Sequence, residues 1–276
     1  MLPLKDNVPT GRFAVVTVLL IALNLVAFGW QLSKPSDEAS SPSLARAGVG
    51  ERDQVSIEYG AIPYRVTHPG SECGVGKGDI VCGQDGVVDA GGDEGSAIPD
   101  NLDPPPWWVT LLSSMFLHAD LLHIGGNMLF LWIFGNNVED SMGRLRFLLF
   151  YLLAGLVAVY AQSALDPTST GPTIGASGAV AGVLGAYAVL HPKARVLTLV
   201  FIIFFVTLIE IPALLLLAVW FALQFFPAVG QLATPDVAGG GGVAYLAHVG
   251  GFLFGLAAIR LFAHRRDESA SRFLGP

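Results

Sequence analysis

Long apolar runs alternate with polar intervals along the chain, and one polar interval far exceeds the rest. The first run, residues 12–31, is long enough to cross a bilayer, with Arg12 and Trp30 marking its ends. No small-residue cleavage site follows closely, so it is expected as a retained helix. Residues 32–106 are rich in Ser, Gly, Pro and Asp and show little helical periodicity. They are expected as a water-exposed loop, with 57–66 its most ordered piece. Trp107 and Trp108 suggest an aromatic belt, placing 107–115 near the interface. Further spans are expected at about 116–134, 147–163, 176–190, 209–228 and 244–263. The apolar run 196–226 is too long for one helix, and Glu210 and Pro212 interrupt it. We therefore expect 196–208 to lie against the membrane face. Pro212 then falls in the first turn of the fifth span, where a proline is tolerated. Gly239 to Gly242 is expected as a flexible loop.

Composition strengthens this pattern. The chain of 276 residues is 53% hydrophobic and only 13% charged, with mean hydropathy +0.59. Soluble domains carry about 25% charged residues. The net charge of −7 gives no nucleic-acid signature, and thirteen of the acidic residues, against five basic ones, lie within 32–106. Loop charges set an orientation. Lys5, Arg12, Arg144, Arg146, Lys193, Arg195, Arg265, Arg266 and Arg272 all fall on one side of the expected spans. Loops 164–175 and 229–243 contain no Lys or Arg. The positive-inside rule then gives six spans with both termini in the cytoplasm. The 32–106 loop faces outward, where Cys73 and Cys82 could bridge; two free thiols are the alternative. Two cysteines nine residues apart, with no further ligand nearby, do not complete a metal shell.

The expected fold class is thus an all-α polytopic membrane protein, a six-helix bundle with a long extracytoplasmic loop between helices 1 and 2. Its divisions are 1–31 (cytoplasmic tail and first helix), 32–106 (extracytoplasmic insertion), 107–263 (core) and 264–276 (cytoplasmic tail). The fourth span is about fifteen residues, so it covers roughly 22 Å of a hydrocarbon core about 30 Å thick. If it spans, one end sits inside the membrane, and Ser177 marks that end.

Polar groups at membrane depth are functional candidates. The second span carries His118, His123 and Asn127, the fourth Ser177 and the sixth His248. All three spans run in the same direction, with these residues near their outer ends. Ser177 is a weak nucleophile until a base takes its proton, and histidine is the usual base. Gly178 and Gly182 on one span, and Gly250, Gly251 and Gly255 on another, would let the two helices touch and bring His248 to Ser177. His123 and Asn127 share a helix face, and the Ser177 N–H lies at a helix N-terminus; together they could hold an oxyanion. Singly, each feature has a plainer reading: small residues as helix packing, Asn127 as inter-helix glue, Glu210 as a membrane-edge charge. The conjunction favours a site.

Phe116-Leu-His118, His123-Ile-Gly-Gly-Asn127, Gly175-Ala-Ser177-Gly178 and Ala247-His248-Val-Gly-Gly251 follow one another on alternate spans. This order closely resembles the rhomboid intramembrane serine proteases over about 107–263, and Gly143-Arg144-Leu-Arg146-Phe147 fits that family's turn between spans two and three. The resemblance implies a rhomboid-like bundle and a Ser177–His248 dyad with no third acidic member. It implies an oxyanion site of His123, Asn127 and the backbone at Ser177, beside Gly175. His118, Gly178 and Gly251 take supporting roles. Implied substrates are single-span membrane proteins within the lipid bilayer, with no cofactor or nucleic acid, and a bacterial plasma membrane is the expected location. Span five, bulky and poor in small residues, is expected to move aside for lateral substrate entry.

Two departures stand out. Some family members place an aromatic residue four positions after the serine, against the catalytic histidine; here that residue is Ala181. A neighbouring helix or water must then orient His248. The 32–106 loop is also much longer than in compact members. Two other functions compete with the protease: a rhomboid-like binder of client helices without catalysis, and a small transporter. The transporter would show inverted repeats and ionisable residues paired along a path, and the sequence has neither.

Overall fold

The computed structural model describes residues 2–202, 205–233 and 243–263. The expected Gly239–Gly242 loop and the 264–276 tail lie outside these residues. Strand β1 (Leu2–Asp6) leads into helix α1 (Val15–Leu32). Three short helices follow, α2 (Pro42–Ala47), α3 (Glu51–Tyr59) and α4 (Pro63–Thr67), then strands β2 (Glu72–Gly76), β3 (Asp79–Gln84) and β4 (Val87–Ala90). Helix α5 (Trp107–Ser113) and a 3-10 turn (Ser114–Phe116) precede α6 (Leu121–Met142), α7 (Arg144–Leu165) and α8 (Ser177–Leu190). Strands β5 (Arg195–Ile202) and β6 (Phe205–Pro212), then α9 (Ala213–Ala233) and α10 (Tyr245–Phe262), complete the order.

Among the described residues, four helices, α1, α7, α9 and α10, are long and apolar enough to cross a membrane. The α5 segment and α6 pass the same test only together, bent by 81° at the break between them. Asn136, Asn137, Glu139 and Asp140 dilute the apolar character of α6. At 14 residues α8 falls short, spanning about 21 Å.

Helix α8 is the centre of the bundle. Every residue from Gly178 to Ala188 is buried, against α6, α7 and α10. Glycine makes this possible. A Cβ on Gly251 would strike the Gly178 carbonyl, and one on Gly255 would strike the Gly182 carbonyl. The α8 and α10 backbones therefore touch, and Ala154 and Ala158 of α7 close in on the other side of Gly182 and Gly178.

The N-terminal strand and several loops sort into two sets. β1 pairs antiparallel with β5, and β5 with β6, so the N-terminal segment lies beside residues 195–212. On the opposite side, Ala61 bridges Thr173, the Tyr64 N–H donates to Ser169 O, and Gln231 donates to Asp166. The 33–106 segment therefore shares a side with the loop that leads into Ser177.

The structure corrects four expectations. The fold is mostly helical but not all-α, since it holds two three-stranded sheets. Residues 195–212 form a β-hairpin, so the fifth apolar helix does not begin at about 209. Val, Ile, Thr and Phe dominate this run, and such side chains favour strands when a partner strand is at hand. Pro212 consequently ends β6, with α9 starting at Ala213. Residues 33–106 are a folded unit with its own core of Leu44, Ile57, Ile62, Tyr64 and Val75. Its helices and strands of four to nine residues are too short to show a period. Finally, the second apolar helix begins at Leu121, not Phe116, because Asp120 caps it. His118 thus precedes the helix.

Candidate active site

The site forms where the first turns of α6, α8 and α10 meet. Asp120 sets the first of these. Its carboxylate accepts hydrogen bonds from the Leu122 and His123 N–H groups, both at 2.8 Å, and so fixes the backbone that carries His123. His123 Nδ1 accepts a long hydrogen bond from the Ala119 N–H at 3.4 Å. With Nδ1 as acceptor, the neutral ring carries its proton on Nε2.

Gly175 adopts φ +117°, a conformation that favours glycine. Its N–H donates to Ser114 O at 2.8 Å. A Cβ here would lie 2.6 Å from His123 Nε2 and 3.6 Å from Ser177 Oγ. The missing side chain therefore lets the His123 donor and the Ser177 hydroxyl face one small space. One helical turn beyond His123, the Asn127 Nδ2 is buried and has no hydrogen-bond partner among the described residues. A buried donor left unpaired is costly unless something else accepts from it.

Ser177 is the first residue of α8, where unpaired backbone N–H groups and the helix dipole favour an anion. His248 lies in the first turn of α10 and is buried. Its Nε2 is 2.7 Å from Ser177 Oγ. The Gly178–Gly251 contact one turn below sets this separation. Small residues thus position the pair through the backbone.

The other expected residues sort as follows. His118 stands in the extended stretch before α6, its N–H donating to Gln31 Oε1 of α1 at 2.9 Å. Its ring packs edge-on to His123, centroids 5.0 Å apart, and to Phe28 at 6.4 Å. It forms a wall behind His123. Cys73 and Cys82 sit opposite each other on β2 and β3 and are bonded, within the 33–106 unit. Among the described residues, no group of three His, Cys, Asp or Glu side chains is arranged to hold a metal ion.

Ala181 is buried inside α8 and offers His248 no ring. Helix α9 supplies the missing contacts. Gln224 Oε1 is 2.8 Å from His248 Nδ1, and the Trp220 ring lies 6.1 Å from the imidazole. Tyr245 adds an edge contact at 6.5 Å. Sequence reasoning missed Gln224 and Asp120. Each left a signal: a lone amide in an apolar span, and an acidic residue three positions before His123.

Similarity to known proteins follows the same residues. The model of the Rhomboid domain matches residues 105–265, more than half of the chain. The mitochondrial Rhomboid protein 1 of Saccharomyces cerevisiae is 30% identical over 60% of this chain and 47% of its own length. Rhomboid protease GluP of Bacillus subtilis is 44% identical over 29% of this chain and 15% of its own. The human Presenilin-associated rhomboid-like protein, also mitochondrial, is 35% identical over 31% of this chain and 23% of its own. The chain thus spans less than half the length of these relatives. They come from mitochondria as well as from a bacterium, so the expected bacterial plasma membrane draws no support from them. The domain match covers the helices that carry Ser177, His248, His123 and Asn127, and the chain belongs to the rhomboid family of polytopic membrane proteins.

Proposed function

We propose that the chain is an intramembrane serine endopeptidase working through Ser177 and His248. The observation that carries this reading is the 2.7 Å contact between Ser177 Oγ and His248 Nε2 at the start of a buried, short helix. In the first step His248 Nε2 takes the Ser177 proton as Oγ attacks the substrate carbonyl. His123 Nε2–H, the Asn127 amide and the Ser177 N–H then stabilise the tetrahedral oxyanion. His248 returns the proton to the leaving amine, and the acyl-enzyme forms. Water, activated by the same imidazole, completes hydrolysis.

Six spans belong to this reading: α1, α6, α7, the short α8, α9 and α10, with both termini cytoplasmic. The same reading divides the chain into 1–31, 32–106, 107–263 and 264–276 and puts 32–106, closed by the Cys73–Cys82 disulfide, outside the membrane. A helix about 21 Å long leaves its N-terminus below the membrane surface, where water can reach Ser177 only through a polar cavity. Substrates are single-span membrane proteins whose helices unwind readily. They enter laterally between α9 and α6, which share little packing.

Labelling with a serine-reactive fluorophosphonate tests the dyad. Wild-type protein should label, Ser177→Ala should not, and His248→Ala should label at a small fraction of the wild-type rate. Labelling that survives Ser177→Ala sinks the reading. A client-helix binder without chemistry would leave even the wild type unlabelled.

A further inference from the structure

We propose that Gln224 of α9 is the positioning residue for His248, holding the imidazole in the tautomer that Ser177 requires and tying its orientation to the seating of α9. The inference rests on the dyad reading above and extends it to a residue on a different helix.

Geometry fixes the direction of each bond. Gln224 Nε2 donates to the Trp220 carbonyl one turn earlier, at 3.5 Å. The amide nitrogen is thereby turned to its own helix, and the oxygen faces His248 Nδ1 at 2.8 Å. An amide oxygen only accepts, so Nδ1 carries the proton. Nε2 is then unprotonated and accepts from Ser177 Oγ at 2.7 Å. The opposite tautomer would set two lone pairs against each other at Nδ1 and aim an N–H at the serine. Gln224 thus does with a neutral amide what a carboxylate does in a three-member triad. The Trp220 ring, tilted by 38° beside the imidazole, limits its rotation from the same helix.

Both constraints come from the least embedded helix of the bundle. Only Ala213, Leu216, Leu217 and Ala228 of α9 are buried, and none lies between Leu217 and Ala228, the stretch that carries Trp220 and Gln224. Pro227, inside the helix and one turn past Gln224, removes a further backbone hydrogen bond. Displacing α9 outward therefore breaks the Gln224–His248 contact before it disturbs the α8–α10 seam. A protein with its lateral opening wide is left with an unset base, and reseating α9 restores it.

The test compares fluorophosphonate labelling rates of the full chain across pH for wild type, Gln224→Met and Gln224→Glu, with thermal unfolding measured in parallel. Besides Ser177, the titratable groups facing His248 are Tyr245 on its own helix and His123 from α6, and both remain in every variant. Methionine keeps the length and loses the acceptor, so labelling should fall about tenfold or more at unchanged unfolding temperature. Glutamate keeps the acceptor and adds a negative charge that favours the imidazolium, so the acid limb of the profile should move to higher pH while labelling persists above it. Wild-type rate and profile in Gln224→Met overturn the proposal. So does an acid limb in Gln224→Glu that stays where the wild type has it, which holds even if the methionine variant fails to fold. An unlabelled wild type would instead refute the dyad itself.

Discussion

Helices α8 and α9 run through the same bundle and are built on opposite rules. Eleven of the 14 residues of α8 are buried, most of them Gly, Ala and Val, and its backbone touches that of α10. Four of the 21 residues of α9 are buried, and Leu, Phe, Val and Trp outnumber its small residues. Small residues let backbones approach, and a close backbone seam cannot slide without collision. Bulky side chains hold a helix off and meet lipid as readily as protein. One helix therefore fixes Ser177, and the other, loosely packed, carries the Gln224 contact to His248.

The largest expected effect comes from filling the seam. A side chain on Gly255 meets the Gly182 carbonyl and the Ala186 N–H, backbone groups that cannot yield. Gly255→Leu should abolish folded, labelled protein, a loss of about 3 kcal/mol or more. Leu223→Ala on α9, at a side chain 63% exposed, should shift stability by no more than about 0.5 kcal/mol. Thermal unfolding in one detergent measures both. Equal losses would show that α9 is as embedded as α8.

Next in size is the response to a tether. A cross-link between engineered cysteines on α6 and α9, in a background with Cys73 and Cys82 still bridged, should cut cleavage of a membrane-embedded substrate about tenfold or more. Labelling of Ser177 by the small fluorophosphonate should stay near the untethered rate, because Gln224 remains seated on His248. Undiminished substrate cleavage would remove lateral entry past α9.

The contrast between the two helices was partly legible in the sequence. Ser177 and His248 announce themselves because polar residues are costly at membrane depth, and Gly175, Gly178 and Gly251 because small residues beside them allow close helix contact. Hydropathy along 196–208 does not separate a strand from a helical segment; its β-branched residues and the N-terminal strand that pairs with it decide that. Gln224 stands 24 positions from His248, and no periodicity links them. Only the crossing of α9 over α10, where the Phe221 and Phe252 rings lie 4.7 Å apart, puts the amide in reach. The 33–106 unit was obscured in another way. Its order comes from a small core and a disulfide, neither of which leaves a repeating pattern.

A smaller effect tests the far end of α8. Tyr187, in its last turn, donates to Asp6 Oδ2 at 2.6 Å, and Asn137 of α6 donates to the same oxygen at 2.6 Å. Strand β1 is thereby fastened to α6 and α8, and α8 is held at both ends. Tyr187→Phe should lower stability by about 1–2 kcal/mol, the loss of a hydrogen bond to a buried carboxyl, with labelling of Ser177 unchanged in the folded fraction. A larger loss in labelling than in stability would mean that the Asp6 clamp governs the site as well as the fold.

The smallest effect is a pH dependence at that clamp. Burial pushes the Asp6 carboxyl above its ordinary value of 3.8, and the hydrogen bond from Tyr187 opposes the rise only in part. A raised folded value means that the protonated form is favoured by folding. Its stabilisation is full below 3.8 and is lost as pH climbs through the raised value. Asp6→Asn removes the titration and keeps an oxygen to accept from Tyr187. The variant should therefore be at least as stable as wild type at neutral pH, and the difference should close as the pH falls toward 3.8. Unfolding curves for the two proteins across that range measure it. A variant less stable than wild type at neutral pH would show that the ionised carboxylate, with its two donors, outweighs its own desolvation. The Tyr187 end of α8 would then be clamped by charge, whereas its Ser177 end is seamed to α10 through glycine.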